Sequence, residues 1–277
     1  MEIRIRKSCF VTHNLEEKQN MAYIVCLEQD YVKRTLQRAR KNDLVVFDSF
    51  GISQSIINKA KQKGVHFYDY INIGSIEKDG PYYKKFKDIR IAKYSGWPEY
   101  WVDVTDERWQ QHIIDVAKVK KKKGAIGVYL DNTDLYWQCL YGFKENETKT
   151  LMAIPEHEKV FFALEHMVEK LVNEVGLIVM PNGGDIFVRE LFKRGYGQYL
   201  IRTVNQEGVL YSDFKKQSKG ETAYFVRYLN WCLEQGLYIR GIEYVKEQSG
   251  AKEVLEFYKE HHYQAVYISR HTNLRGD

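Results

Sequence analysis

Acidic and amide side chains recur directly after apolar, β-branched-rich runs of this chain. The runs LVVF, YINIGSI, YWV, GVYL, LIVMP, LYIRGI and AVYI are followed by Asp48, Glu77, Asp103, Asp131, Asn182, Glu243 and Ser269, and a run near residues 200–204 precedes Glu207. Strands buried on both faces read as such runs, and in parallel sheets their carboxyl ends share one edge. Carboxylates gathered at that edge suit acid/base chemistry on a polar substrate, with sugars as the first candidates.

Asp131 and Asp134 lie in the most informative segment, GVYLDNTDLY at residues 127–136. Asp131 follows a buried strand, so its carboxylate should stand at the open end of that strand, and Asp134 lies three residues further along. Two carboxylates this close repel each other when both are ionised, and burial raises the pKa of such a group. An alternative remains, in which Asp131 only caps a helix or holds a loop through backbone N–H groups.

Glu207 ends the sixth run, in TVNQEGVLY. The ends of strands four and six face each other across part of the mouth of an eight-stranded barrel, so Asp131 and Glu207 could flank a glycosidic bond. Gln206 is the rival of Glu207, because a register shift of one residue exchanges the side chain that points inward. A surface glutamate in a loop is the other alternative.

Further polar and aromatic residues near the same strand ends are predicted to bind the substrate. They are Asp48, Glu77, Trp97, Asp134, Asn182, Glu243 and Tyr244. Trp97 belongs to residues 78–98, which lack a periodic pattern and are predicted to form a long loop along one wall of the cleft. Each of these residues could instead have only a structural role.

The alternation of apolar runs with helical stretches predicts an α/β fold, a single (β/α)8 TIM barrel. The chain has 277 residues and no Pro/Gly-rich linker, which fits one domain over residues 1–277. The barrel is predicted over residues 43–277. Residues 1–42 are predicted to be an N-terminal extension, with a strand at AYIVCLE (residues 22–28) outside the count of eight. The predicted helices cover residues 31–41, 52–63, 106 onward, 155–176, 185 onward, 221–235 and 249–262.

Composition disfavours several other classes of function. The formal net charge is +5, and the densest basic run, Lys118 and Lys120–Lys123, precedes Gly124 at a predicted helix end. No aromatic residues interleave with it, so no nucleic-acid partner is expected. No run approaches the length of a membrane span, and no membrane partner is expected. Without a visible signal peptide the expected location is cytoplasmic, or extracellular if a leader had been removed.

Motifs for metal or cofactor chemistry are absent from the sequence. The four cysteines have no CxxC or Cys/His spacing, so neither a zinc site nor a disulfide framework is expected. GxSxG, HExxH and a dinucleotide fingerprint are also missing. The expected cofactors are therefore none.

Five segments, in order, resemble one family. YINIGSIE, GWPEYWVDVTDERW, GVYLDNTDLY, PNGGD and NQEGVLY, spread from about residue 43 to residue 270, resemble glycoside hydrolase family 114, the endo-α-1,4-polygalactosaminidases. The resemblance implies a (β/α)8 barrel related in plan to the α-galactosidases, which cleaves α-1,4-linked galactosamine-containing polysaccharide. It also implies that Asp131 is the catalytic strand-four aspartate and Glu207 the strand-six glutamate. The GGD that follows Asn182 departs from relatives that carry a glutamate, which leaves the role of Asp185 open.

The resulting hypothesis is a glycosidase that acts on a polysaccharide or oligosaccharide with two carboxylates. Asp131 would be the nucleophile and Glu207 the general acid/base, with net retention of configuration. The alternative hypothesis is a non-catalytic sugar-binding barrel that kept the cleft but not turnover. A nucleic-acid-binding protein that uses the lysine run is the least favoured. The sequence makes no prediction of oligomeric state.

Overall fold

Eight parallel strands form a (β/α)8 barrel in the computed structural model, which describes residues 21–143 and 151–276. In chain order the strands are β1 (Tyr23–Cys26), β2 (Leu44–Phe47), β3 (His66–Asn72), β4 (Ser75–Glu77), β5 (Arg90–Lys93), β6 (Glu99–Val102), β7 (Gly127–Asp131), β8 (Ile178–Pro181), β9 (Thr203–Glu207), β10 (Tyr211–Ser212), β11 (Lys215–Lys216), β12 (Tyr238–Tyr244) and β13 (Ala265–Ser269). The barrel strands are β1, β2, β3, β7, β8, β9, β12 and β13. The predicted fold class is confirmed.

The barrel consists of two parallel ladders that meet at both edges. One ladder has the order β1-β2-β3-β7-β8, and the other has the order β13-β12-β9. Bridges from Val179 to Ile201 and from Asn182 to Asn205 join β8 to β9. On the opposite side β1 lies against β13, and the Leu27 N–H donates to the Leu274 carbonyl just beyond the strands. The ring of strands is thereby closed between the first and the last.

Most of the helices cover the outside of the barrel. The described helices are α1 (Gln29–Arg38), α2 (Gln54–Gln62), α3 (Tyr83–Phe86), α4 (Glu107–Lys123), α5 (Leu135–Tyr141), α6 (His157–Asn173), α7 (Asp185–Lys193), α8 (Gly197–Leu200), α9 (Lys219–Glu234) and α10 (Gln248–Glu260). Seven of the ten described helices agree with the predicted ones to within a few residues, and the short helices at Tyr83–Phe86, Leu135–Tyr141 and Gly197–Leu200 were not predicted. Local sequence explains several ends. Asp106 caps α4, Ser218 and Glu221 form a capping box on α9, and Gly124 ends α4 in the left-handed conformation.

Alternating residues of the barrel strands divide the core into two layers. Inward-facing residues form a buried cluster inside the barrel, which consists of Tyr23, Val25, Leu44, Val46, Tyr68, Tyr129, Met180, Ile242, Tyr267 and Leu274. The larger cluster lies between the barrel and its helices. Tyrosines inside the barrel are unusual for an apolar core, because each buried hydroxyl needs a hydrogen-bond partner. The hydroxyls of Tyr23 and Tyr129 find their partners near the carboxyl ends of the strands.

Two predicted strand assignments are wrong. The run at residues 22–28, predicted to lie outside the eight strands, forms β1, which pairs in parallel with β2 from Tyr23 to Cys26. The YWV run, predicted as a barrel strand, lies in β6, which pairs antiparallel with β4 and β5 in a small separate sheet. Both runs are apolar because both are buried, and periodicity alone cannot tell one buried sheet from another. The two errors cancel, so Asp131 and Glu207 still end the fourth and sixth barrel strands.

The small sheet is an insertion between β3 and α4. The insertion contains residues 78–98, which were predicted to form a long loop. Instead they contain α3, a 3-10 turn at Lys87–Ile89, and β5. Asp103, predicted at the barrel mouth, accepts hydrogen bonds from the backbone and hydroxyl of Thr105 in the turn before α4.

The lysine run lies at the end of α4 and folds back onto neighbouring segments. The Lys120 ammonium lies 2.6 Å from Asp48 Oδ1 and 2.7 Å from Asp69 Oδ1, and the side chains of Lys120 and Asp69 are buried. Lys123 donates to the carbonyl oxygen of Ser49. Much of this basic run thus has intramolecular partners. In residues 21–143 and 151–276, no helix combines the length and apolarity needed to cross a bilayer.

Candidate active site

A cavity of about 560 Å³ opens at the carboxyl ends of the barrel strands. Every predicted site residue except Glu243 lines it, namely Asp48, Glu77, Trp97, Asp131, Asp134, Asn182, Glu207 and Tyr244. The strand ends supply its floor and the inserted sheet supplies one wall, through Glu77, Trp97 and Glu99. The carboxyl-end face is where (β/α)8 enzymes place their reacting groups.

Asp131 and Glu207 share one hydrogen-bond donor at the floor of the cavity. The amide nitrogen of Asn182 lies 3.1 Å from Asp131 Oδ1 and 2.8 Å from Glu207 Oε1, so these two oxygens are less than about 6 Å apart. The backbone places Asn182 between them: its N–H donates to Leu130 of β7, and the next N–H, of Gly183, donates to Asn205 of β9. The strand-five asparagine therefore bridges the ends of strands four and six.

Three tyrosine hydroxyls and the backbone N–H of Asn132, which donates to Asp131 Oδ1 at 3.1 Å, also contact the two carboxylates. Tyr70, from β3, donates to Asp131 Oδ2 at 3.0 Å. Tyr129, from β7, donates to Glu207 Oε1 at 3.1 Å, and Tyr244, from β12, donates to Glu207 Oε2 at 2.6 Å. Each carboxylate is thus held on both oxygens by neutral donors from the described part of the chain.

Burial and the neighbouring charge change the acidity of Asp131. Burial raises the pKa of Asp131, the negative charge of Glu207 raises it further, and the hydrogen bonds from Asn182 and Tyr70 lower it, so that it reaches about 7. Near neutral pH Asp131 therefore holds its proton for part of the time.

The register of β9 favours Glu207 over Gln206 as the partner of Asp131. Glu207 shares its face of the strand with Asn205, whose buried side chain contacts Tyr23 and Tyr129 inside the barrel. Gln206 also borders the cavity, but its amide turns back and donates to the carbonyl oxygen of Glu207 at 3.0 Å.

The inserted sheet brings a second acidic group, Glu99, next to the strand ends. Glu99 Oε2 accepts hydrogen bonds from the hydroxyl of Ser75 and, at 3.1 Å, from the amide of Asn72. The Asn132 amide also donates to the Ser75 hydroxyl, at 3.0 Å. Gly74 makes this packing possible, because a side chain there would meet the carbonyl oxygen of Asn132 at 2.1 Å.

Glu77 and Asp48 stand near Glu99 along the same wall. Burial and the negative charges of Glu99 and Asp48 raise the pKa of Glu77. Asp48 is partly neutralised, because its Oδ1 accepts from both the Lys120 ammonium and the backbone N–H of Phe50. This wall is therefore acidic, with its charge reduced at one end.

Asp134 and Glu243 both order loops. Asp134 lines the cavity while its Oδ1 accepts from the Gly184 N–H at 3.1 Å, which fixes the turn after β8. Glu243, predicted to bind substrate, is fully buried outside the cavity. Its carboxylate accepts from the backbone N–H groups of Leu210 and Tyr211 and from the Tyr258 hydroxyl. Glu243 thus holds the loop after β9.

Several site residues escaped the sequence-based prediction. They are Tyr70, Glu99, Tyr129, Asn132 and Asn205. The alternation of side chains along a strand could have indicated Tyr70, Tyr129 and Asn205, since each lies two residues before a strand-end polar residue on the same face. Glu99 could not be found this way, because its run was assigned to a barrel strand. Among the described residues, no group of three or more His, Cys, Asp or Glu is arranged to hold a metal ion.

Known structures share this fold. The glycoside hydrolase domain of PelA from Pseudomonas aeruginosa superposes with a TM-score of 0.72 at 16% identity, over 93% of this chain and 96% of that domain. Ega3 from Aspergillus fumigatus, solved in complex with galactosamine, gives 0.68 at 15% identity, over 97% and 98%. The maltogenic α-amylase AmyB from Thermotoga neapolitana gives 0.58 at 10% identity, over 90% and 66%. No curated protein matches the sequence.

A (β/α)8 barrel with two close carboxylates at one end of its strands is an arrangement that glycosidases use. The model of glycoside hydrolase family GH114 matches residues 11–275, so the chain belongs to this family.

Proposed function

We propose that this protein hydrolyses α-linked, galactosamine-containing polysaccharides with net retention of configuration. Asp131 is the nucleophile, and Glu207 is the general acid/base. The observation that carries the proposal is the single Asn182 amide that contacts both carboxylates.

The short separation of the two carboxylates supports retention. Retaining glycosidases hold their two carboxyl groups about 5–5.5 Å apart, whereas inverting enzymes need about 6.5–9.5 Å to admit a water molecule. The shared Asn182 donor keeps the nearest oxygens within about 6 Å of each other. A water molecule between them would have to displace this amide.

The hydrogen bonds of Asp131 suit an ionised nucleophile. A retaining mechanism begins with an ionised nucleophile and a protonated acid. In the proposed first step Asp131, ionised between the Tyr70 hydroxyl and the Asn182 amide, attacks the anomeric carbon. Glu207 gives its proton to the leaving oxygen and then takes one from the incoming water. The choice of Asp131 as nucleophile follows the family resemblance.

The charge of the cavity supports a cationic substrate. Its described lining carries seven carboxyl groups and no lysine or arginine; the acidic residues are Glu28, Asp48, Glu77, Glu99, Asp131, Asp134 and Glu207. An amino sugar with a free amino group is positively charged at neutral pH and would be attracted to this lining. Galactosamine, the sugar in complex with Ega3, is a ligand of this chemistry.

The test uses α-1,4-linked galactosamine oligosaccharides and follows the released anomer by proton NMR. The proposal expects reducing ends to appear, with the α-anomer first, and product to form at least about 10²-fold more slowly from Asp131→Asn or Glu207→Gln. If the β-anomer appears first, the mechanism is inverting and Asp131 becomes a general base. Binding without any turnover by the wild type would instead support the non-catalytic sugar-binding barrel.

A further inference from the structure

Asn205 lies directly beneath the two carboxylates, on the same face of β9 as Glu207. Its side chain is fully buried and does not line the cavity, so it cannot touch a substrate. The mechanism proposed above gives it no role. All of its polar side-chain atoms nevertheless have partners, and these partners lead to the catalytic pair.

The hydrogen bonds around Asn205 form a chain in which each group donates to the next one toward Glu207. The Tyr23 hydroxyl donates to Asn205 Oδ1 at 2.9 Å. The Asn205 amide nitrogen donates to Asn182 Oδ1 at 2.7 Å and to the Tyr129 hydroxyl at 3.1 Å. Asn182 and Tyr129 in turn both donate to Glu207 Oε1. Asn205 thus supports both of the groups that stabilise this carboxylate oxygen.

We propose that Asn205 is a positioning residue, which holds the Asn182 amide with its N–H group toward Asp131 and Glu207 and thereby favours negative charge on the pair. This inference rests on the proposed function of the pair.

Asn205 disfavours the flipped orientation of the Asn182 side-chain amide. Rotation of the Asn182 amide by half a turn would place its carbonyl oxygen against two carboxylates. In the same rotation its NH2 group would meet the NH2 group of Asn205, which Tyr23 holds in place from below. Two unfavourable contacts at buried groups would replace favourable ones.

Other groups also face the pair and remain unchanged in the proposed test. Tyr70 of β3 and Glu99 of β6 act on Asp131. Tyr244 of β12 donates to Glu207, and Asp213 of the loop after β9 lies near Tyr244. Arg240 of β12 lies lower in the barrel, near the Tyr23 ring. Because these groups stay in place, a change in the ionisation of the pair reports on Asn205.

The test is an NMR titration of the ¹³C-labelled carboxyl groups in wild type and Asn205→Leu, with the signals assigned from Asp131→Asn and Glu207→Gln. Leucine fills a similar volume without hydrogen bonds. The titration of the pair should move to higher pH by about one unit, because its ionised form loses support. Thr203→Val is the matched control. It removes a buried hydrogen bond with Arg240 from the same face of the same strand, while every hydrogen bond of this network keeps both of its partners.

Activity gives a second readout if the proposed function holds. The alkaline limb of the pH–kcat profile should move in the same direction, and kcat should fall about ten-fold while KM changes less than about two-fold, since Asn205 cannot touch the substrate. If Asn205→Leu shifts the titration but the wild type hydrolyses no sugar, the proposed function is contradicted and this inference still stands.

Tyr23→Phe provides a milder variant, which removes only the hydroxyl that orients Asn205. The expected shift has the same sign and a smaller size. The proposal is overturned if Asn205→Leu titrates like Thr203→Val. If Asn205→Leu does not fold, an unchanged titration in Tyr23→Phe overturns it instead.

Discussion

In the proposed mechanism, exchange of Asp131 for an amide removes the nucleophile, and exchange of Glu207 for an amide removes the proton donor. We predict that Asp131→Asn and Glu207→Gln each lower kcat on galactosamine oligosaccharides by about 10²–10⁴-fold or more, the usual effect of losing a positioned acid, base or nucleophile. Both variants should keep the wild-type circular dichroism spectrum. Gln206→Ala is the control, because its amide turns toward the backbone of Glu207. A Gln206→Ala variant with less activity than Glu207→Gln would move the assignment by one residue.

The raised pKa of Asp131 makes a prediction about stability. In the folded state this pKa is about 7, above the ordinary 3.8, so the protonated form is the one that folding favours. The stability that protonated Asp131 contributes is fully present below about pH 4 and is lost as pH rises through 7. An asparagine carries no charge at any of these pH values, so Asp131→Asn does not lose stability in this way. We predict that it raises the free energy of unfolding at pH 8 by on the order of 2–4 kcal/mol.

Urea unfolding at pH 5 and pH 8 checks this prediction. The stabilisation by Asp131→Asn should be larger at pH 8, and it should stop growing above about pH 7. Asp30→Asn, at an exposed position of α1, controls for the general effect of removing a negative charge. A stabilisation of equal size at both pH values would show that Asp131 keeps an ordinary acidity in the folded protein.

Single residues also show how far the sequence predicts this site. Asp131, Asn182 and Glu207 were predicted because a strand that is buried to its last residue places the next polar side chain at the barrel mouth. Asn205 and Tyr129 were missed because polar residues within an apolar strand normally read as exceptions to its pattern. Their roles depend on neighbours distant in sequence, such as Tyr23, which is 182 residues from Asn205.

At the scale of elements, the strand count was predictable but the identity of two strands was not. β1 and β6 are both four residues long, mostly apolar and at least partly buried, so local pattern cannot assign one to the barrel and the other to the insertion. What separates them is pairing: β1 has a parallel partner in β2, whereas β6 has antiparallel partners on both sides. Pairing is a property of the whole sheet, which a short window of sequence does not contain.

The inserted sheet presents Trp97 at the cavity, where its side chain is 54% exposed. We predict that Trp97→Ala weakens oligosaccharide binding about five- to ten-fold, since aromatic residues at binding surfaces often contribute strongly, and that it leaves the melting temperature nearly unchanged. Calorimetric titration with Glu207→Gln as the background avoids turnover. Tyr199→Ala is the control, at a residue of similar exposure in α8 that does not line the cavity. Equal affinity in both variants would remove Trp97 from the binding site.

Glu243 holds the loop after β9, so replacing its carboxylate by an amide should lower stability, whereas the same replacement at Asp131 should raise it. Both oxygens of this carboxylate accept hydrogen bonds, from two backbone N–H groups and from the Tyr258 hydroxyl. An amide NH2 cannot accept any of them, so we predict that Glu243→Gln lowers the free energy of unfolding by about 1–3 kcal/mol. Chemical denaturation of Glu243→Gln and Asp131→Asn, measured side by side, tests this. Both variants replace a buried carboxylate by an amide, but Glu243→Gln should be destabilised and Asp131→Asn stabilised. Stabilisation of both would show that burial outweighs the hydrogen bonds of Glu243.

At the scale of the whole molecule, an acidic cavity lies in a chain whose formal net charge is +5. We predict that galactosamine oligosaccharides bind several-fold more weakly at 0.5 M than at 0.05 M salt, because the Debye length then falls from roughly 14 Å to about 4 Å. Calorimetric titration of Glu207→Gln checks this, with the fully N-acetylated oligosaccharide as an uncharged control. Tighter binding of the N-acetylated sugar, with no effect of salt, would contradict a cationic substrate.

Closure of the barrel between β1 and β13 has a consequence for the order in which the protein acquires its chemistry during synthesis. Asp131, Asn182 and Glu207 leave the ribosome before β12 and β13, which complete the ring against β1. Contacts between segments so far apart in sequence form late, since a large loop must first be closed. Each new molecule therefore carries Asp131 for some time outside its finished site. Only when the last strand docks beside the first does the closed barrel bury this carboxyl group and raise its pKa.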